Sequence, residues 1–146
     1  MIQTEALHAY LQEAVDLLRS LISFTKEDIE DIKLAHHEVV FDRCNTKSVA
    51  VREFEYARSR IDQEIVRLSQ QYPHLKISDI LDEKADALLA DMRKLLEELK
   101  AINRHYAHIA FAVSEFYTSA ANMLIPRVKS DYKGSATQSQ LLRIHV

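Results

Sequence analysis

The chain has one glycine, Gly134, so residues 1–133 contain none. Glycine supplies the positive φ of tight hairpins and the close backbone approach that phosphate loops require. Its absence excludes a P-loop or a dinucleotide-binding fold and leaves little scope for β-hairpins. What remains is rich in Leu, Ala, Glu, Lys and Arg, which lose little on entering a helix. The pattern predicts an all-α protein. Its 146 residues, with 47% hydrophobic and 28% charged side chains, suffice for one cored domain.

The two prolines, Pro73 and Pro126, each stop a helix at or before the preceding residue. In the first stretch Leu7, Leu11, Ala14, Leu18 and Leu21 recur at steps of four and three, one face of a helix. Thr25, with Asp28 three residues on, reads as an N-terminal cap. A break is therefore expected near Ser23–Thr25. A new helix should follow to about Gln71, with a stripe at Ile29, Ile32, His36, Val40, Cys44, Lys47, Val51, Phe54, Ile61, Ile65 and Leu68. A division at Asn45 is the alternative. The next segment keeps a 4-3 heptad pattern from Leu81 to Ala120, beside a second stripe at Leu89, Leu96, Asn103, Ala110, Tyr117 and Leu124. Ser78 or Asp79 is its expected cap and Pro126 its end, giving about 65 Å of helix. The expected architecture is an elongated antiparallel helical bundle or coiled coil of three or four helices, residues 1–125. A flexible C-terminal tail, 126–146, follows, too polar over Lys133–Gln140 to hold a fold.

Charge excludes some partners. Net charge is -3, and bases alternate with acids, so no basic stripe for nucleic acid exists. The tail differs: Arg127, Lys129, Lys133 and Arg143 face one acid, Asp131. The opening MIQTEALHAY has neither the basic nor the apolar region of a signal peptide. The longest apolar run, Ile109 to Val113, is far below the roughly 20 residues of a membrane span. One cysteine, Cys44, permits no internal disulfide. A cytoplasmic protein without direct membrane insertion is expected.

Chemistry-bearing constellations are sparse. Glu5-Ala-Leu-His8 is a single Glu-x-x-His motif, where a di-iron bundle needs two and two further glutamates. His105 and His108 lack a glutamate-bearing partner helix. His36-His37 lacks the small residues and glycine that an exposed phosphotransfer histidine uses. Cys44 has no activating histidine nearby in sequence and reads as a small hydrophobe. No enzyme, metal or cofactor is expected.

The last helix changes character halfway. Residues 82–101 carry ten charged side chains, whereas residues 102–125 carry only Arg104 and Glu115. The low-charge half is either buried in the bundle or an apolar surface for a partner helix. Ala107, Phe111, Ser114 and Thr118 make a third face that neither stripe uses.

Three features together resemble the FlgN family of flagellar export chaperones. One is the run Leu-Leu-x-x-Leu-Ile-x-x-Thr-x-Glu-Asp-Ile (residues 17–29), followed by Lys47 and Phe54-Glu55-x-x-Arg58. Another is Leu99 to Leu124 with Asn103 and a closing Asn122-Met-Leu. The last is Asp131-Tyr132-Lys133-Gly134. His105 and Tyr106 depart from the family, which has a second asparagine and small residues there. The resemblance implies a cytosolic type III export chaperone that binds the C-terminal helical segments of hook-filament junction (hook-associated) proteins. It would keep them unpolymerised and bring them to a membrane protein of the export gate. Tyr106, Phe111, Tyr117, Ala121 and Leu124 are the expected client contacts, and Tyr132 the gate contact. Two other readings stay open: a coiled-coil subunit that self-associates permanently, and a phosphotransfer or metal-binding bundle. The oligomeric state is not fixed by the sequence.

Overall fold

A computed structural model describes residues 2–124. The described chain is an all-α helical bundle of α1 (Glu5–Lys33), α2 (His37–Gln71), α3 (Ile77–Ile80) and α4 (Glu83–Leu124). Its contacts fall into two compact units. Among the described residues, unit 1 comprises those up to Ile22 with Val49–Leu99, and unit 2 comprises Ser23–Ser48 with those from Lys100 on.

Unit 1 is built on the predicted leucine face. Leu7, Leu11, Ala14, Val15, Leu18, Leu21 and Ile22 of α1 are buried, as are Phe54, Ala57, Ile61 and Leu68 of α2. Ala50 of α2, Ile80 of α3 and Ala85, Leu88 and Leu99 of α4 complete this buried set. The start of α4 differs from expectation. Ser78 and Asp79 fall in α3, and the cap is Asp82, whose Oδ1 accepts the Ala85 N–H at 2.9 Å. The same carboxylate accepts the Thr4 hydroxyl at 2.8 Å, and His8 Nε2 lies 2.8 and 2.9 Å from its two oxygens. Burial acts to raise the Asp82 pKa, but His8, the Ala85 N–H and Thr4 outweigh it and hold the carboxyl at about 2. Arg60 stacks on Tyr10 and Tyr56, 4.3 and 5.1 Å from their ring centroids, and pairs with Glu13 at 3.2 Å.

Unit 2 corrects the expected helix break. α1 runs unbroken through Ser23–Thr25 and ends instead at Lys33. The link Leu34–His36 is a Schellman closure. Ala35 takes a φ of 63°, the His36 N–H donates to Asp31 O at 2.8 Å, and the Ala35 N–H donates to Ile32 O at 3.2 Å. His36, expected on the core stripe, is exposed in this link. α2 then passes through Asn45 as one helix, as expected. Thr25 does not cap a helix because its side chain is spent elsewhere: it is buried and lies 3.5 Å from Asn103 Oδ1. The core of unit 2 is small: Ile29, Ile32, Val40, Tyr106 and Ala110, with Ile102, Ile109 and Val113 packed against it. Asp28 meets Lys47 and Asp31 meets Arg43, so α1 and α2 run antiparallel here. Lys47 over Tyr106, and His37 against Tyr117, make α2 antiparallel to α4 as well.

Candidate functional site

The low-charge half of α4 proves to be two things in succession. At 100° per residue, Ile102, Tyr106, Ile109, Ala110 and Val113 share one face, and this face is the unit 2 core. The same face continues through Tyr117, Ala120, Ala121 and Leu124. Exposure climbs along it, from 3% at Tyr106 to 47% at Tyr117 and 81% at Leu124. Phe116 (68% exposed) and Met123 flank it, so the apolar arc of residues 115–124 covers about 160° of the helix. Thr118, Asn122, Glu115 and Ser119 occupy the remainder. The last three turns of α4 thus carry a core-type face that no described residue covers.

The reason lies in the length of its neighbours. The α1–α2 hairpin turns at Leu34–His36, and the first residue of α2, His37, already meets Tyr117. The two rings are 5.5 Å apart edge-on, with His37 Nε2 3.4 Å from the Tyr117 hydroxyl. Phe116 adds an edge-on contact to Tyr117 at 5.9 Å. Beyond Tyr117 the seam has nothing from the hairpin to pack on. Leu34, Val39 and Phe41, in and just after the turn, are also exposed.

The expected contact residues therefore divide. Tyr117, Ala121 and Leu124 come together on the exposed arc. Tyr106 lies on the same face but is core, which corrects its expected place on the surface. Burial pushes its phenol pKa up, and its ring faces Lys47 Nζ 5.1 Å away. Phe111 is exposed, but about 120° round from Tyr117, on the side of Thr118 and Asn122. Tyr132 and the whole tail lie outside the described residues. Phe116 and Met123 are surface residues that heptad reading alone did not separate from the core. A helical wheel restricted to 115–124 would have found them.

Nearer Tyr106, unit 2 is held by a charged cluster. Asp28 and Lys47 are both buried and paired at 2.9 Å. Arg43 also bonds Asp28, reaches Asp31 at 2.8 Å and Glu27 at 3.3 Å. The Arg43 hydrogen bond holds the Asp31 carboxyl below its usual range against the opposing effect of burial. Burial, and the nearby Asp28 charge, push the half-buried Cys44 thiol up and away from reactivity. Thr25, Asp28, Lys47 and Asn103 thus serve the interior of one unit. Among the described residues no three His, Cys, Asp or Glu side chains gather as metal ligands, and no helix is long and apolar enough to cross a membrane. His8 is engaged with Asp82, and His36 lies 3.4 Å from Asp31 Oδ1.

Compared with known proteins, the chain matches no family model, no curated protein and no solved structure.

Proposed function

We propose that this chain is a cytosolic chaperone of type III flagellar export. It takes up the C-terminal helical segments of hook-filament junction proteins, keeps them unpolymerised and carries them to the export gate, where Tyr132 makes contact. The observation that carries the reading is the seam of α4 that no described residue covers, Phe116, Tyr117, Ala120, Ala121, Met123 and Leu124. A face of this width is completed by an amphipathic helix laid along it. A client segment that folds as it binds loses about 2–5 kcal/mol to ordering, which keeps affinity moderate and release possible. The sequence resemblance supports hook-filament junction proteins as the client, and the exposed arc supports a helix-in-groove mode of uptake.

The test is calorimetric titration of the full chain with synthetic C-terminal segments of hook-filament junction proteins. Expected is 1:1 binding with a negative heat-capacity change, the mark of apolar burial. Phe116→Asp and Leu124→Asp should each weaken it at least tenfold, with unfolding curves unchanged. Phe111→Asp should weaken it less, since Phe111 faces away from the arc. Saturable binding that none of these changes disturbs would remove α4 as the site. No binding to any segment would remove the chaperone reading. A mass that stays dimeric on dilution would favour permanent self-association instead.

A further inference from the structure

We propose that the partner surface of α4 continues beyond the exposed arc, beneath the end of the α1–α2 hairpin, and that this hairpin end opens by local unfolding to uncover it. The opening is independent of the chaperone reading, whereas its use by a client rests on that reading. Size argues for the extension. The arc from Phe116 to Leu124 is about 12 Å long and one helix, about 10 Å, wide. That is small beside the roughly 800 Å² per partner of a stable complex. The same face continues back along α4 through Val113, Ala110, Ile109, Tyr106 and Ile102. From Ile102 to Leu124 it runs about 33 Å, or about six turns. Among the described residues, Ile29, Ile32 and Val40 of the hairpin close over its inner part.

That cover is weakly held. Among the described residues, unit 1 buries sixteen apolar side chains against two polar ones, Thr4 and Glu64. Unit 2 buries five against four, Thr25, Asp28, Lys47 and Asn103. Apolar burial drives packing, while a buried ion pair adds little net stability, so unit 2 is the first to open. Opening also returns Asp28 and Lys47 to water together and strands neither charge. Two local costs add to this. Ala35, in the turn, holds a φ of 63° despite its Cβ. His37 Nδ1 is buried and has no hydrogen-bond partner among the described residues. The partner that fits the opened face is an amphipathic helix of about six turns, apolar at heptad spacing, which takes the hairpin's place against α4. Its apparent affinity is lowered by the fraction of time the hairpin is closed.

Buried cysteines test this in the full-length chain carrying Cys44→Ser, through their reaction with dithionitrobenzoate without denaturant. Ala110→Cys and Val40→Cys report the two sides of the unit 2 core, and Ala57→Cys and Ala85→Cys report unit 1; all four positions are 0% exposed. Circular dichroism checks that each variant is folded. Expected is one common rate for the two unit 2 cysteines, faster than either unit 1 cysteine by about thirtyfold or more. Their rates should also rise less with urea, because a partial opening exposes less surface. Hydrogen exchange of the unaltered chain makes the same comparison: amides of residues 28–44 should exchange faster than those of 54–68. Equal rates and equal urea dependence at all four cysteines would show a single global unfolding and overturn the proposal. A fast Ala110→Cys beside a slow Val40→Cys would assign the opening to fraying of α4 and overturn it too. A saturating C-terminal segment of a hook-filament junction protein should then speed Val40→Cys and slow Ala110→Cys, since it replaces the hairpin on α4. Segment binding that leaves both rates unchanged, or slows both, would confine the client to the arc and overturn the extension while sparing the chaperone reading. If the unit 2 cysteines open together but no segment binds, the opening stands and the chaperone reading fails.

Discussion

Lys47 Nζ sits 2.9 Å from Asp28 Oδ2 with both side chains withdrawn from water, beneath the ring of Tyr106. A buried pair of this kind gives little net stability over an apolar pair, but losing one member is costly because the other charge is stranded. Asp28 has Arg43 as a second partner, whereas the described ion pair of Lys47 is with Asp28 alone. Asp28→Ala is therefore expected to cost about 3–5 kcal/mol in urea unfolding. Adding Lys47→Met to that variant should recover more than half of the loss. If the double variant is as unstable as Asp28→Ala, stranded charge is not the cause.

Ala35 holds a left-handed conformation in the Schellman closure of α1. That conformation costs a residue with a Cβ about 1–2 kcal/mol, while glycine there loses about 0.5–1 kcal/mol of unfolded-state entropy. Ala35→Gly should therefore stabilise the chain by about 0.5–1 kcal/mol. Ala35→Val should destabilise it, because a β-branched side chain fits this region worst. Thermal unfolding of the two variants, in that order either side of the natural chain, is the check.

Asp82 gives the fold a dependence on acid pH. Its carboxyl sits at about 2 in the folded chain, below the roughly 3.9 of an unfolded aspartate. The carboxylate therefore favours the folded state in full above about pH 4, and the contribution is lost as pH falls through 4 to 2. Asp82→Asn keeps a side chain able to cap α4 but removes the charge. The stability gap between natural chain and variant should be constant from pH 7 to about pH 5 and close by pH 2. A gap independent of pH over that range would assign the effect to capping geometry rather than charge.

Core and surface on one helical face should respond differently. Tyr106→Ala removes a buried aromatic ring and is expected to cost about 3–5 kcal/mol. Phe116→Asp and Leu124→Asp, on the exposed arc, should change stability by less than about 0.5 kcal/mol. Circular dichroism followed through urea titration separates the two classes. A large loss from Leu124→Asp would mean that the arc is covered within the chain.

Much of the fold was legible because apolar spacing decides which face of a helix is buried. The leucine face of α1, the continuity of α2 through Asn45 and the long seam of α4 all follow from it. The α1–α2 turn was not legible. Turns usually announce themselves by glycine, and here an alanine takes the positive φ. Thr25 and Asp28 looked like a cap because caps and buried polar pairs use the same residues. Only the neighbours Asn103, Lys47 and Arg43, distant in sequence, show which role is filled. The candidate surface was half legible for a related reason. Heptad spacing marks a face that wants a neighbour, but not where the neighbour stops, so Tyr106 and Leu124 looked alike.

The three-residue link at Leu34–His36 acts as a ruler. The hairpin it closes ends where α1 ends, and that point decides how much of α4 the hairpin covers. Adding one heptad to the end of α1 and one to the start of α2 would carry the turn about 10 Å further along α4. Tyr117 and Leu124 would then be interior residues, without any substitution among them. The extent of the face the hairpin leaves uncovered is thus encoded as a difference between helix lengths, and paired insertions in α1 and α2 can switch off a surface that lies wholly on α4.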